Sequence, residues 1–185
     1  MKTSILQPNQ TNLTAICKSI ALTALLLAGM GTSALAQDNI GGHIGVVLPL
    51  VTHVGGSTVN EVADDFSMGM PMGVTFKGKG RMAFDLEIVP GFHTARPRLN
   101  TLTLHPGLVW DLGHRFSAGM RVAFDVNSAT WGFTPLINHS WPIKSENGFF
   151  KAYFVEAVMP VRFNRPVIGP KTDAVTFGMH FGVGF

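Results

Sequence analysis

The side chains best suited to catalysis or metal binding are few in this 185-residue sequence. Cysteine occurs once, at Cys17, so the chain has neither a disulfide framework nor a CxxC metal or redox site. None of the seven histidines falls in an H-E-x-x-H or comparable ligand spacing. We therefore expect no metal and no cofactor.

Pairs of nucleophile and base are equally scarce. His139 and Ser140 are neighbours, and adjacent residues of a strand point to opposite faces, which separates a base from its nucleophile. Histidine, serine and aspartate also occur together near the expected outer rim, at His53, Ser57, Asp64, Asp65 and His93. A triad at the rim stays an open alternative, but chance co-occurrence is the favoured interpretation, and no catalytic residue is predicted.

Charged residues that alternate with apolar ones form a more informative group. Asp85, Glu87, Arg121, Glu156 and His180 all lie on the polar side of alternating segments. Counting from the segment ends places the last four of them near one level. Because buried charges need partners, the five residues predict a salt-bridged polar cluster inside the fold.

The same inner face carries other polar and small residues. The polar ones are His43, His105, Asp111, Asp125 and Arg162. Inward glycines accompany them, at Gly69, Gly73, Gly107, Gly119, Gly178 and Gly182. We expect these glycines to leave room for water, which weakens the hypothesis of a tight plug.

Alternation of side-chain type defines the elements that must hold these charges. It is clearest at the chain end, where small or polar residues separate Val175, Phe177, Met179, Phe181, Val183 and Phe185. The repeat predicts eight strands, at about 40–54, 64–77, 80–92, 100–113, 114–126, 130–142, 149–163 and 173–185. Each strand has one apolar and one polar or small face, as lipid-facing strands require. The predicted fold class is all-β, an eight-stranded antiparallel up-and-down transmembrane β-barrel.

The connections differ between the two ends of this barrel. Tight turns are expected at 77–80, 112–115 and 143–148, and longer loops at 55–63, 93–99 and 164–172. Short periplasmic turns and longer outer loops are typical of transmembrane barrels, so both mature termini are expected in the periplasm. Aromatic residues at both sets of strand ends match the girdles of such barrels.

Composition and charge exclude two other classes of protein. The chain is 46% hydrophobic and 14% charged, which is too apolar for a disordered protein. Its net charge is +3, but removing Lys2 and Lys18 from the 14 basic residues leaves 12 against 11 acidic ones. That balance offers no electrostatic surface for nucleic acid.

Lys2 and Lys18 are set aside because residues 1–36 have the features of a cleaved secretory signal peptide. A polar stretch at 1–19 precedes an apolar run at 20–30, and Ala34-Leu35-Ala36 matches the small-x-small cleavage pattern. The apolar run makes a helix of about 16 Å, too short for a bilayer core of about 30 Å. We predict cleavage before Gln37 and a barrel domain at 37–185.

The mature chain resembles the small eight-stranded barrels of the bacterial outer membrane, such as the OmpA membrane domain and OmpX. The resemblance covers essentially all of 37–185. Its most specific mark is the terminal strand, whose residues Phe177, Met179, Phe181, Val183 and Phe185 resemble the C-terminal signal read by the outer-membrane assembly machinery. The resemblance implies outer-membrane localisation, with membrane lipid and that machinery as partners.

An eight-stranded barrel has an interior only wide enough for side chains or one small ligand. We therefore expect a non-enzymatic integral membrane protein with a structural or narrow-pore role, in which a small ion or solute is a possible partner. A surface binding or adhesion role for the loops is an alternative, although the loops are short.

Prolines within the predicted strands suggest a further alternative. Pro49, Pro71, Pro90, Pro106, Pro135 and Pro160 each remove a ladder donor, and a closed barrel has no free edge to accommodate them. Bulges or early strand ends are the simpler explanation. The alternative is a lateral opening between strands, which would suit a lipid-handling enzyme that acts on lipid A by acyl transfer or deacylation. In this respect the chain resembles the palmitoyl-transferring outer-membrane barrel. The His-x-Ser spacing of lipid A deacylase barrels is not found.

Overall fold

The structure, a computed structural model, describes residues 39–64, 66–93, 96–144 and 148–185, with the backbone alone at 96–98. The predicted signal peptide lies outside these residues. Asp38–Phe185 form one compact unit. The described residues include no helix that is long and apolar enough to cross a membrane.

The described residues contain eleven strand segments, which form one antiparallel sheet. They are β1 (Ile40–Val54), β2 (Ser57–Asn60), β3 (Ser67–Gly69), β4 (Met72–Lys77), β5 (Met82–His93), β6 (Arg96–Gly113), β7 (Phe116–Asp125), β8 (Thr130–Pro142), β9 (Ala152–Val158), β10 (Val161–Asn164) and β11 (Thr172–Gly184). The segments β3 and β4 form one wall strand, β9 and β10 form another, and β2 extends β1 as a hairpin.

The wall closes on itself because β11 pairs with β1, from His43 opposite Gly184 to Val54 opposite Ala174. Every other wall strand pairs with its neighbours in the chain. The described residues therefore form an antiparallel barrel of eight wall strands, which confirms the predicted fold class. It is also the architecture that the resemblance to small outer-membrane barrels implies.

The two ends of the barrel differ. One end, the tight-turn end, carries the connections β4–β5, β6–β7 and β8–β9, and there Phe185 exchanges two backbone hydrogen bonds with Gly42. The predicted tight turn at 143–148 is wrong, because the β8–β9 connection runs over 143–151. The β6–β7 turn has only His114 and Arg115 between the strands, and both adopt positive φ, 52° and 68°. The opposite end, the loop end, carries the other connections.

Two predicted loops at the loop end are wrong. Residues 55–63 form a hairpin instead, because Gly55 and Gly56 adopt positive φ and turn β2 back along β1. The predicted loop at 93–99 is shortened, because β6 already begins at Arg96, opposite His93. The barrel wall therefore extends further at this end than the alternation indicated.

The prolines modify three wall strands. The predicted strand 64–77 begins at Ser67 and is interrupted at Met70-Pro71, and the predicted strand 149–163 begins at Ala152 and is interrupted at Met159-Pro160. In β1 the register shifts between Pro49 and Val51, which is a bulge. Pro90, Pro106 and Pro135 lie within continuous strands.

The polarity of the barrel is inverted relative to a water-soluble protein. The buried polar side chains of the described residues are Asp85, Glu87, Thr103, His105, Arg121, Thr134, Glu156 and His180, whereas the buried apolar ones are Ala123, Leu136, Phe154 and Val158. Large apolar side chains are exposed on every wall strand, among them Ile44, Met72, Leu86, Leu108, Met120, Ile137, Tyr153 and Phe181. The polar core therefore lies in the lumen.

Candidate functional site

Arg121 of β7 occupies the centre of the lumen. Its Nε lies 2.8 Å from Asp85 Oδ2, its Nη1 2.8 Å from Glu156 Oε1, and its Nη2 3.6 Å from Glu87 Oε2. All four side chains are at least 95% buried. One guanidinium thus joins carboxylates from β5 and β9 across the barrel, and we call these residues, with His43, His105 and His180, the lumen cluster.

Two histidines extend the lumen cluster along β1 and β11. His43 Nε2 lies 3.0 Å from Glu87 Oε2, and its Nδ1 lies 3.8 Å from Asp85 Oδ1. His180 Nδ1 donates to Glu156 Oε1 over 3.3 Å, while its Nε2 is buried without a hydrogen-bond partner among the described residues. Side chains from three strands, β1, β7 and β11, therefore contact these carboxylates.

His105 of β6 connects the lumen cluster to Arg162. Arg162 Nη2 lies 2.9 Å from His105 Nε2, and His105 Nδ1 lies 3.0 Å from Glu87 Oε1. Because a guanidinium can only donate, Nε2 must accept, and the ring proton must be on Nδ1, where it is donated to Glu87. This relay fixes the tautomer of His105.

Glycines make room for the histidine rings. A Cβ at Gly73 would overlap the His43 ring, and one at Gly45 would come within 2.6 Å of His180 Nε2. Gly107 similarly accommodates the stem of Arg121. The expectation that inward glycines leave room for water is therefore wrong at Gly73 and Gly107, because larger side chains fill the space.

Not every predicted inward polar residue belongs to the lumen cluster. Asp111 is exposed near the tight-turn end and accepts the backbone N–H of Gly113 at 2.8 Å. Asp125 accepts the Thr103 hydroxyl at 2.7 Å and the Ser128 hydroxyl at 3.2 Å, near the loop end. Both stay at their own ends of the lumen because they lie at the ends of β6 and β7.

The lumen cluster divides the lumen into two chambers. The larger, about 750 Å³, lies at the tight-turn end and reaches from Lys77 and Arg115 to Asp85. The smaller, about 120 Å³, lies on the loop side, and Val47, Val89, Val158 and Arg162 are part of its lining. Arg121 and Glu156 line both chambers and therefore form the partition between them.

Within the described residues, His139 and Ser140 do not form a pair of base and nucleophile. His139 packs between Phe116 and Trp141, with ring centroids 4.3 Å from each, whereas Ser140 lines the larger chamber, as expected for neighbours in a strand. At the rim, His53 Nδ1 hydrogen-bonds Thr58, and Asp64 accepts from the backbone of Asn60. Asp65 lies outside the described residues.

Three ligand atoms within the lumen cluster are close enough together to hold a metal ion. They belong to His43, Asp85 and Glu87, and all lie within 4.8 Å of one another. Arg121 already contacts both of these carboxylates. A divalent cation would therefore have to displace a guanidinium that fills the same position.

Comparison with known proteins gives only distant similarity. The sequence matches no family model and no curated protein. Among solved structures, it is similar to a de novo designed transmembrane β-barrel, with a TM-score of 0.37 and 14% identity over 77% of this chain and 95% of that one. It is also similar to the outer membrane protein OprG from Pseudomonas aeruginosa, with a TM-score of 0.36 and 13% identity over 80% of this chain and 96% of that one.

Proposed function

We propose that the protein is a non-enzymatic integral barrel of the bacterial outer membrane, whose narrow lumen is closed at mid-height by the lumen cluster. The observation that carries this proposal is the inverted polarity: charged side chains are buried inside and large apolar ones are exposed outside. A water-soluble barrel has the opposite arrangement, whereas an apolar outer surface is stable in lipid.

The dimensions of the wall support insertion into a bilayer. A tilted membrane strand needs about 9–11 residues to cross the hydrocarbon core. The shortest uninterrupted wall strand, β7, has 10 residues, and β6 has 18. Every wall strand, counted through its interruption where it has one, is therefore long enough.

Aromatic rings at both ends of the barrel also support insertion into a membrane. At the tight-turn end Phe149 stacks on Phe185, with centroids 4.7 Å apart, and Trp141 stacks on Tyr153 at 5.2 Å. At the loop end Trp131 contacts Phe163 at 4.9 Å. Aromatic rings in these positions, among which those of tryptophan and tyrosine are amphipathic, suit the two interfaces between lipid and water.

The terminal strand supports a role in assembly. The outward residues Phe177, Phe181 and Phe185 are 48%, 44% and 41% exposed, so an assembly factor reaches them before lipid covers them. We propose that this face, with Met179 and Val183, is the recognition signal for the outer-membrane assembly machinery. Replacing Phe185 by Ala keeps its backbone bonds to Gly42, whereas deleting Phe185 also removes them. Slower assembly of both variants in cells would support recognition of the ring.

Quenching of tryptophan fluorescence tests the membrane proposal. All three tryptophans lie on the barrel wall, and Trp110 and Trp131 are 43% and 48% exposed. In vesicles of brominated phospholipid we expect strong quenching of the folded protein and little quenching by aqueous iodide. Urea-unfolded protein is the control. Equal iodide quenching with and without lipid would refute insertion.

A further inference from the structure

Arg162 is a cation with no carboxylate at ion-pair distance among the described residues, and Asp125 attracts it only at longer range. Its Nη1 donates to the carbonyl oxygens of Phe133 and Val161 and to the Thr134 hydroxyl, at 3.1–3.3 Å, and its Nη2 donates to His105. None of the contacts that Arg162 makes within the described residues is with a carboxylate. All of its contacts are with neutral groups.

Arg121, which also points into the lumen, differs from Arg162 in its partners. Arg121 contacts three carboxylates, two of them at 2.8 Å. A partly buried guanidinium with spare N–H donors favours a carboxylate, because the two planar groups form parallel, charge-assisted hydrogen bonds. The difference between the two arginines therefore indicates a place for an anion beside Arg162.

The nearby carboxylates are already engaged. Asp125 accepts the hydroxyls of Thr103 and Ser128, and Glu87 is reached from Arg162 only through the His105 ring. Arg162 thus contacts neither acid directly, which leaves N–H donors for a ligand of its own. Arg162 is half-buried and lines the loop-side chamber.

The chamber next to Arg162 limits the size and type of the ligand. It measures about 120 Å³, and one part of its wall is apolar, formed by Val47, Val89 and Val158 together with Pro49, Pro71 and Pro160. The rest of the lining is polar and includes Glu87 and Glu156, whose carboxylates are contacted by Arg121. An apolar cavity of ~150 Å³ holds one benzene molecule. The chamber therefore has room for a short alkyl group and not for a lipid acyl chain.

We propose that the loop-side chamber binds a short-chain monocarboxylate, with its carboxylate on Arg162 and its alkyl group between the valines. The charge of the ligand is matched by the arginine, and its alkyl group by the apolar part of the chamber wall. This inference uses the barrel interior described above and depends neither on conduction nor on insertion into a membrane.

Isothermal titration of the refolded protein in detergent micelles tests the proposal with sodium butyrate as the probe. We expect saturable binding that is at least tenfold weaker in Arg162→Gln and is retained in Arg165→Gln. Arg165 is the matched control, because it lies three residues away and already pairs with Asp173 at 2.5 Å. A heat-dependent gel shift verifies that each variant is folded.

A second variant tests the size of the chamber without removing the charge. Val158→Leu adds one methylene to the wall and should shift the preference from butyrate towards acetate. Absence of saturable butyrate binding to folded wild type, or equal binding by Arg162→Gln, would overturn the proposal. Equally tight binding of butylammonium would overturn the charge assignment, and equally tight binding of phosphate would overturn the alkyl site. Failure of the fluorescence experiment would leave this result intact, so the two proposals are separable.

Discussion

Arg121 determines the arrangement of the lumen at the scale of single residues. Two carboxylates from β5 and one from β9 are buried around it, and each of these side chains is no more than 3% exposed. Removing one partner from such a group leaves uncompensated charge in a poorly solvated site. The lumen cluster therefore depends on one side chain.

Replacing Arg121 by Met should destabilise the barrel strongly. We expect a loss of about 3–5 kcal/mol in the free energy of unfolding, as for other broken buried ion groups. Arg165→Met is the control, since its exposed pair with Asp173 should contribute no more than about 1 kcal/mol. Equilibrium urea unfolding in lipid vesicles measures both, and equal losses would contradict a special role for Arg121.

Gly73 should resist any side chain, because the His43 ring occupies the space that a Cβ would need. We expect Gly73→Ala to cost about 1–3 kcal/mol, the range for overpacked sites, and to break the contact of His43 with Glu87. Gly80→Ala is the matched control, because nothing lies within 4 Å of the added Cβ. If both substitutions were neutral in the same unfolding experiment, the packing described for His43 would be wrong.

The alternation of residues was enough to predict which charges face inward, but not which ones meet. The contact of Arg121 with Asp85 depends on the stagger between β5, β6 and β7, where Asp85 is opposite Gly107 and Gly107 is opposite Arg121. A one-dimensional count of residues from strand ends does not contain this stagger. It also missed that inward glycines accommodate neighbouring rings.

At the scale of elements, the two interrupted wall strands match each other. In each, the Met N–H donates to a proline carbonyl on one neighbouring strand, Met70 to Pro90 and Met159 to Pro135. The following proline accepts from the opposite neighbour, Pro71 from Gly45 and Pro160 from Thr176. Paired residues of an antiparallel ladder normally exchange two hydrogen bonds, but Pro71 and Pro160 have no N–H and cannot donate the second one. The two interruptions thus flank the β11–β1 pair and weaken its attachment.

Restoring the donor at position 160 should tighten this part of the wall. In Pro160→Ala the new N–H can bond the Thr176 carbonyl, and a hydrogen bond worth about 1 kcal/mol slows exchange about fivefold. Amide hydrogen exchange of Thr176, measured by NMR in micelles, reports the change. Pro170→Ala, in the exposed β10–β11 connection, should leave that exchange rate unchanged. Unaltered exchange in Pro160→Ala would show that the missing donor has no effect on the wall.

The strand order and the short turns β4–β5 and β6–β7 were predictable because hydrophobic alternation has a period of two. The predicted tight turn at 143–148 was wrong, because β8 ends at Pro142 and β9 begins only at Ala152. Strand ends near prolines were not predictable, because a bulge shifts the pattern without erasing it. Similarly, the loop-end parts of β1 and β6 pair with β2 and β5, which the mixed polarity of these residues does not indicate. The errors therefore occur at the loop end, at the prolines and at the β8–β9 connection.

At the scale of the whole molecule, closure and polarity together define the proposed role. The β11–β1 pairing leaves no wall strand with a free edge among the described residues, and the outward apolar face suits lipid. The lumen cluster separates the two chambers. These features are the ones expected of the proposed membrane-spanning barrel with a lumen closed at its middle.

Planar-bilayer conductance of the wild type beside Arg121→Ala tests this central claim most directly. Arg165→Ala is the control, and a gel shift verifies folding. We expect no current steps from the wild type or the control, and cation-selective steps from Arg121→Ala, because three carboxylates would then face a water-filled gap. A steady wild-type current that Arg121→Ala leaves unchanged, or a folded Arg121→Ala barrel as silent as the wild type, would contradict closure by the lumen cluster.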